Sequence, residues 1–425
     1  MKKRIYLNPA CFVCSSGQVQ TLQNSVMRCT RCNACLQSCP SYLLKPEETS
    51  SARGRVQLLR LILEDKIKPQ QHRALIEKTL RSCLLCGKCS LACAGDIPVA
   101  QQVLALSKEM GLRQIPASLK FFYRLKNKAP RFFDFFIRSV QFLRRWKLFF
   151  LWGLPRKSSL YWVQYAHRTL PAPKRSLRRQ LLKDHFPFCH TRADFMYLPS
   201  LEACYIDPVI GQKTLKILGK KKIHILFDVS SGLFEHLYGD PTRCLTQAKR
   251  LLTLWEKHSA QKVPLVTDSW EVFAFLKNYP ALFASLPNWQ KRAELFASQV
   301  RFVADFIKPK KSALSVKTAL DSSGLLHLPL ENIALAHKII KTQAGKNLLE
   351  CDYSRFPIAL GGALFGGPLP TDRMLLANVE DIIRGQIQQV YCLSGWVSFI
   401  LSRALKRHAP TAQAQHIVYL QDRHD

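Results

Sequence analysis

The sequence predicts an α+β multidomain protein: an N-terminal α-helical domain of ferredoxin-type cysteine spacing, then an α/β domain of two repeated units. Three observations carry that prediction. Two cysteine runs before residue 115 bracket an insert with helical apolar spacing. From about residue 191, buried strand patterns alternate with helical ones, which favours parallel sheets. The order strand, small-residue turn, helix, strand, Trp-bearing turn then occurs twice, as in an internal duplication.

The first run is Cys29-x2-Cys32-x2-Cys35-x3-Cys39-Pro40 and the second is Cys83-x2-Cys86-x2-Cys89-x3-Cys93, together eight of the chain's 15 cysteines. This is the bacterial 4Fe-4S spacing, in which three thiolates on a tight loop hold one cluster and the fourth crosses to the other. On that rule Cys29, Cys32, Cys35 and Cys93 hold one 4Fe-4S cluster, and Cys83, Cys86, Cys89 and Cys39 hold a second. Structural zinc is the competing reading, but four-cysteine zinc sites usually pair two separated C-x2-C elements.

The helical domain is read over residues 1–115. Between Cys39 and Cys83 lie 43 residues. After Ser51-Ala52-Arg53-Gly54-Arg55, the apolar residues Val56, Leu59, Ile62 and Leu63 recur at helical spacing. A second helix is expected over His72–Leu80 and a third after Pro98. Pro40 follows Cys39, whereas Ala94 follows Cys93, so the two sites differ in their surroundings. Arg53, Arg55 and Lys88 either tune those sites and dock an acidic partner, or are solvated charge. Cys11-x2-Cys14 has no visible partner cysteines and reads as incidental thiols.

Residues 116–190 are read as a basic aromatic segment and linker. From Pro116 to Lys183 there are 17 Lys or Arg against the single acid Asp134, and 15 of the chain's 43 Phe, Trp and Tyr. An amphipathic, basic, aromatic helix suits a membrane interface. Packing against a partner is the second reading. Nucleic acid is disfavoured, because no recognisable reading module is present.

Residues 191–425 form the α/β domain. Strands are read at Ile223–Val229, Val263–Thr267, Phe356–Leu360 and Val390–Leu393. Helices are read around Leu251, Leu252 and Trp255, after Asp268-Ser269-Trp270, over Asp372–Arg384, and after Ser394-Gly395-Trp396. Cys189, Cys204, Cys244, Cys351 and Cys392 are scattered and read as small buried hydrophobes.

At 425 residues the chain has room for two or three domains, and 47% hydrophobic residues suffice for a sizeable core. Its formal net charge is +34. No secretory signal is read in Met1–Pro9, no run of about 18 apolar residues occurs, and clustered thiols suit a reducing cytoplasm. The twelve histidines show no ligand spacing. No Ser-His-Asp set, P-loop or dinucleotide fingerprint occurs, and no catalytic residue is assigned.

The two cysteine runs, the Ser51–Arg55 segment and the order of the α/β units resemble the glycolate oxidase (glycolate dehydrogenase) iron-sulfur subunit family. The iron-sulfur subunits of anaerobic glycerol-3-phosphate dehydrogenase and of heterodisulfide-reductase-type enzymes share this build. In that family each α/β unit usually carries paired cysteines followed by glycine. Here Cys204 keeps a leading position, but Ser230-Ser231-Gly232 and Leu360-Gly361-Gly362 stand at the paired positions. Trp270 and Trp396 stand at the later ones, and Leu328 and Leu330 flank Pro329 where thiols would be expected. Serine and glycine keep a tight turn and offer no soft thiolate.

The resemblance implies two 4Fe-4S clusters and an electron-transfer subunit of an oxidoreductase. Its FAD-containing dehydrogenase partner would oxidise glycolate, lactate or a similar 2-hydroxyacid. Electrons would pass toward quinone or another acceptor, at the cytoplasmic face of the membrane. The alternatives are a glycerol-3-phosphate dehydrogenase or heterodisulfide-reductase-type subunit, or a cluster-stabilised scaffold that binds nucleic acid.

Overall fold

The computed structural model describes residues 24–83, 87–110, 176–184, 193–219, 221–237, 240–258, 263–307, 318–321, 348–349 and 368–419, with positions 132, 135 and 139. A helical N-terminal region is followed by an α/β region with two small parallel sheets.

The helical region contains α1 (Ala34–Gln37), α2 (Pro40–Leu44), α3 (Ala52–Leu63), α4 (Arg73–Arg81), α5 (Lys88–Leu91) and α6 (Val99–Glu109). α3 starts where it does because Ser51 caps it. The Ser51 hydroxyl accepts from the Gly54 amide at 2.8 Å and donates to the Glu48 carbonyl at 2.8 Å. One otherwise orphaned first-turn donor is thereby satisfied. Gly54 is dictated by the same turn, since a Cβ there would overlap the Glu48 carbonyl oxygen. The apolar face of α3 then buries Val56 and Leu59 in a core with Ile76 and Leu80 of α4 and Val103 and Leu104 of α6. All three helices stand where the apolar spacing and Pro98 place them.

α7 (Leu177–Lys183) precedes the first sheet. That sheet contains β1 (Phe195–Leu198), β2 (Ile223–Ile225), β3 (Leu265–Thr267) and β4 (Val300–Phe302), in the order β2-β1-β3-β4. Around it run α8 (Leu201–Tyr205), α9 (Pro208–Leu218), α10 (Leu233–Leu237), α11 (Pro241–His258), α12 (Trp270–Lys277), α13 (Tyr279–Leu282) and α14 (Pro287–Gln299). The second sheet contains β5 (Thr318–Asp321), β6 (Leu348–Leu349), β7 (Gln389–Cys392) and β8 (Gln413–His416), in the order β6-β5-β7-β8, with α15 (Pro368–Arg384) and α16 (Gly395–His408). Every pairing is parallel. Tyr197 sits opposite Ile225 and Val266, and Val390 sits opposite Ala319 and Ala414. The two strand orders are the same, which gives the duplication a topological form.

Large side chains fill the first unit. The Trp255 indole is buried and donates to the Val263 carbonyl at 2.8 Å. Trp270 meets Phe302 edge-on with ring centroids 5.3 Å apart, and Trp255 meets Phe296 in the same way. The Ser230-Ser231-Gly232 turn closes on itself. Ser230 and Ser231 hydroxyls accept from the Gly232 and Leu233 amides, at 3.2 and 3.3 Å. Gly232 is left-handed at φ 80°, and a Cβ would press on the Cys244 carbonyl at 3.0 Å. Cys204, Cys244 and Cys392 are buried, as their hydrophobic reading has it.

Cys11, Cys14, Cys86, Cys189, Cys351, the Leu328–Leu330 and Leu360–Gly362 positions, and the Phe356–Leu360 strand lie outside the described residues. So does most of the basic aromatic segment, of which Phe132 and Phe135 are exposed. Among the described residues no helix is long and apolar enough to cross a membrane.

Candidate functional site

The first cysteine run forms a loop leading into α1 and α2. Arg31 and Asn33 take left-handed backbone at φ 58° and 69°, an unusual state for a residue as long as arginine. The turn lets Cys29, Cys32 and Cys35 face one cavity of about 210 Å³, which Cys93 and Cys89 from the second run also line. Cys32 is exposed, while Cys29, Cys35 and Cys93 are half-buried. Burial, then the neighbouring Cys29, Cys39 and Cys93 thiols, pushes the Cys35 thiol up to about 11.

Cys39 caps α2 with extended backbone, and Pro40 takes the first helical position, where its missing N–H costs nothing. Cys39, Cys83 and Cys89 line a second cavity with Arg55, Ser41, Gly87 and Ala100. The described residues close it to about 10 Å³, the room of a single water. Cys39 Sγ lies 3.2 Å from Ser41 Oγ and 3.8 Å from the Ser50 carbonyl.

Arg55 is 1% exposed beneath this cavity. Its guanidinium donates to the Thr79 carbonyl at 3.1 Å, to Ser41 and Ser82 hydroxyls at 3.0 and 2.7 Å, and to Cys39 Sγ at 3.7 Å. No carboxylate is among these partners. Burial works to raise the Cys39 thiol, but the Arg55 charge, with Ser41 and the Tyr42 amide, holds it below its ordinary value.

A second polar cluster lies where the two α/β units meet. In the first sheet the strand order switches between β1 and β3, the position at whose C-terminal ends open parallel sheets hold ligands. Asp268 follows β3 and takes hydrogen bonds from the Ser200 amide and the Tyr197 hydroxyl, both at 2.8 Å. The next residues face the second unit. The Trp270 amide donates to the Leu393 carbonyl at 3.2 Å, and His416 Nε2 lies 2.9 Å from the Asp268 carbonyl. Glu271 is buried and accepts from the Ser269 hydroxyl at 2.7 Å. Burial raises the Asp268 and Glu271 carboxyls to about 7, with the Glu202 charge adding to both, and burial lowers His416 to about 4. Sequence reading missed this seam. Asp268-Ser269-Trp270-Glu271 reads only as a helix opening, and nothing in it announces that its acids will be buried.

The donor arrangement overturns part of the motif reading. Among the described residues no group of three or more His, Cys, Asp or Glu is placed to hold a metal ion. The two expected 4Fe-4S clusters, the iron-sulfur and metal-binding character, the electron-transfer function and the oxidoreductase-subunit assignment are corrected accordingly. The alternatives that kept those clusters are corrected with them. The physical reason lies in what spacing encodes: it places cysteines on one loop, but holding a metal needs sulfurs converging at bonding distance. Here Cys39 is turned to Ser41, Ser50 and Arg55, and Cys32 opens to solvent.

The family described as "4Fe-4S dicluster domain" matches residues 25–97. The "Probable glycolate oxidase iron-sulfur subunit" of Bacillus subtilis (strain 168) is 24% identical over 304 residues, covering 66% of this chain and 64% of that protein. The "Glycolate oxidase iron-sulfur subunit" of Escherichia coli (strain K12) is 32% identical over 78 residues, 17% of each chain. The alignments thus span less than two thirds of these relatives. No solved structure matches. The family membership that the motifs imply is therefore corrected to a distant similarity to glycolate oxidase iron-sulfur subunits, without a metal-holding donor group among the described residues.

Proposed function

We propose that this chain is an accessory subunit that associates with a flavin-containing dehydrogenase, with the cysteine-lined helical domain as its functional site. The supporting observation is the 304-residue similarity to a protein named as a subunit of glycolate oxidase. Its site residues would be Cys29, Cys32, Cys35 and Cys93 at the open cavity and Cys39, Cys83 and Cys89 at the closed one, with Cys86 added from the motif spacing alone. The domains are residues 1–115, 116–190 and 191–425. The subunit would work in the cytoplasm, with the basic aromatic segment holding it at the inner face of the membrane.

The test is anaerobic co-purification from the native host with a tag on this chain, read by flavin fluorescence and by mass spectrometry of the captured chains. A stoichiometric flavoprotein is the expected result, and its loss is expected when Cys29, Cys32 and Cys35 become Ser together. Capture of no flavin-containing chain would remove the proposal.

A further inference from the structure

The open cavity has a charged and partly apolar mouth. Arg28, Arg31 and Arg53 line it, and no Asp or Glu does. Three arginines of the helical region pair with acids: Arg53 at this mouth with Glu48, and away from it Arg60 with Glu64 and Arg81 with Glu77, while the exposed Arg73 donates to the Met110 carbonyl. Arg28 and Arg31 stand at the mouth itself. Neither has an acidic partner among the described residues, and Arg31 donates instead to the neutral Gln57 side chain at 2.9 Å. Met27 stands beside them, 45% exposed. The left-handed backbone at Arg31 and Asn33 is the kind of local strain that persists at functional sites.

The geometry points to the Arg28–Arg31 rim of the open cysteine cavity, with the exposed Met27 that precedes Arg28 in the chain, as the docking surface for an acidic face of the flavin-containing subunit. The inference rests on the proposed association. Arginine and methionine are enriched at the centres of protein interfaces, and lysine is depleted there. Two unneutralised guanidiniums around a concavity match carboxylates that seat bidentately. A nucleic-acid or lipid surface calls instead for a longer run of positive charge. The chain's +34 charge steers any polyanion toward it, but only locally unpaired groups choose the orientation.

The test compares two full-length variants of equal charge change. Arg28→Glu with Arg31→Glu alters the rim, and Lys406→Glu with Arg407→Glu alters exposed positions at the end of α16. The probe is the flavoprotein that co-purifies with the unaltered chain, titrated at about 0.1 M and about 0.5 M salt. The rim variant is expected to bind about tenfold or more weakly at low salt. The difference narrows at high salt, and the α16 variant stays within about twofold. Met27→Ser, which alters no charge, is expected to weaken binding at both salts. Circular dichroism melts check that each variant is folded. Equal weakening by both charge variants, or unchanged binding by the rim variant, would overturn the docking surface while leaving the association standing. Loss of anionic-vesicle binding with unchanged flavoprotein binding would reassign the rim to lipid. Failure of the unaltered chain to capture a flavoprotein would remove the association itself.

Discussion

The Arg55 guanidinium points its Nη1 at the Sγ of Cys39, 3.7 Å away, from a position 1% exposed to solvent. A buried guanidinium is costly to desolvate and normally sits against a carboxylate. Here two hydroxyls, one carbonyl and a sulfur surround it.

Arg55→Met keeps much of the volume and removes every donor, leaving the Thr79 carbonyl with Ser82, and Ser41 with the Ser50 carbonyl, as the remains of the network. Breaking such a network typically costs about 2–4 kcal/mol. Urea unfolding followed by circular dichroism measures it. Arg55→Lys is expected to recover only part, because one ammonium cannot reach three directions at once.

Gly54→Ala tests the start of α3. The added methyl collides with the Glu48 carbonyl and displaces the Ser51 cap. A loss of about 2–3 kcal/mol is expected, seen as a lower Tm. An unchanged Tm would show that the Glu48–Ser51 turn is not the tight one described.

The seam gives stability a pH dependence. Asp268 and Glu271 have folded values of about 7, above the about 4 of an unfolded chain. Their contribution is fully present below about pH 4 and is lost as pH rises through about 7. His416, held at about 4 against about 6.5 unfolded, acts oppositely: its contribution is present above about pH 6.5 and lost as pH falls toward 4. Two groups oppose one, so stability falls with pH between about 4.5 and 7. Urea midpoints across that range measure the slope. Glu271→Gln is expected to flatten it and His416→Gln to steepen it below about pH 6.

Metal analysis of anaerobically purified protein reads the donor arrangement directly. From the placement of donors among the described residues, less than one iron or zinc per chain is the expected outcome. About eight irons per chain would overturn the correction made from that placement.

The helices of the N-terminal region were legible because each has a strong local signal: the Ser51 cap and apolar stripe of α3, the apolar spacing of α4, and Pro98 before α6. The parallel α/β alternation was legible as well: β2 and β3 stand inside the apolar runs that predict them, and β7 overlaps its run from Val390 to Cys392. β1 and β8 were not. Phe195–Leu198 is only four residues long, and Gln413–His416 carries two glutamines and a histidine. Such strands are set by their neighbours in the sheet, and propensity yields to that context. The cysteine runs place thiols on neighbouring loops, but side-chain direction is tertiary. The seam acids were invisible for the same reason: Asp268 is enclosed by Tyr197 and Ser200, about seventy residues earlier, and Glu271 lies near Ser394 of the second unit.

That second unit is joined to the first through both side-chain and main-chain groups, the Tyr419 hydroxyl donating to the Asp207 carboxylate at 2.8 Å. The Trp270 amide meets the Leu393 carbonyl, and His416 meets the carbonyl of Asp268. Carbonyls are supplied by every residue type, so on that side the joint does not read the sequence. At the carbonyl contacts the seam therefore tolerates a change of residue, whereas at Tyr419 and Asp207 it depends on which side chains stand there.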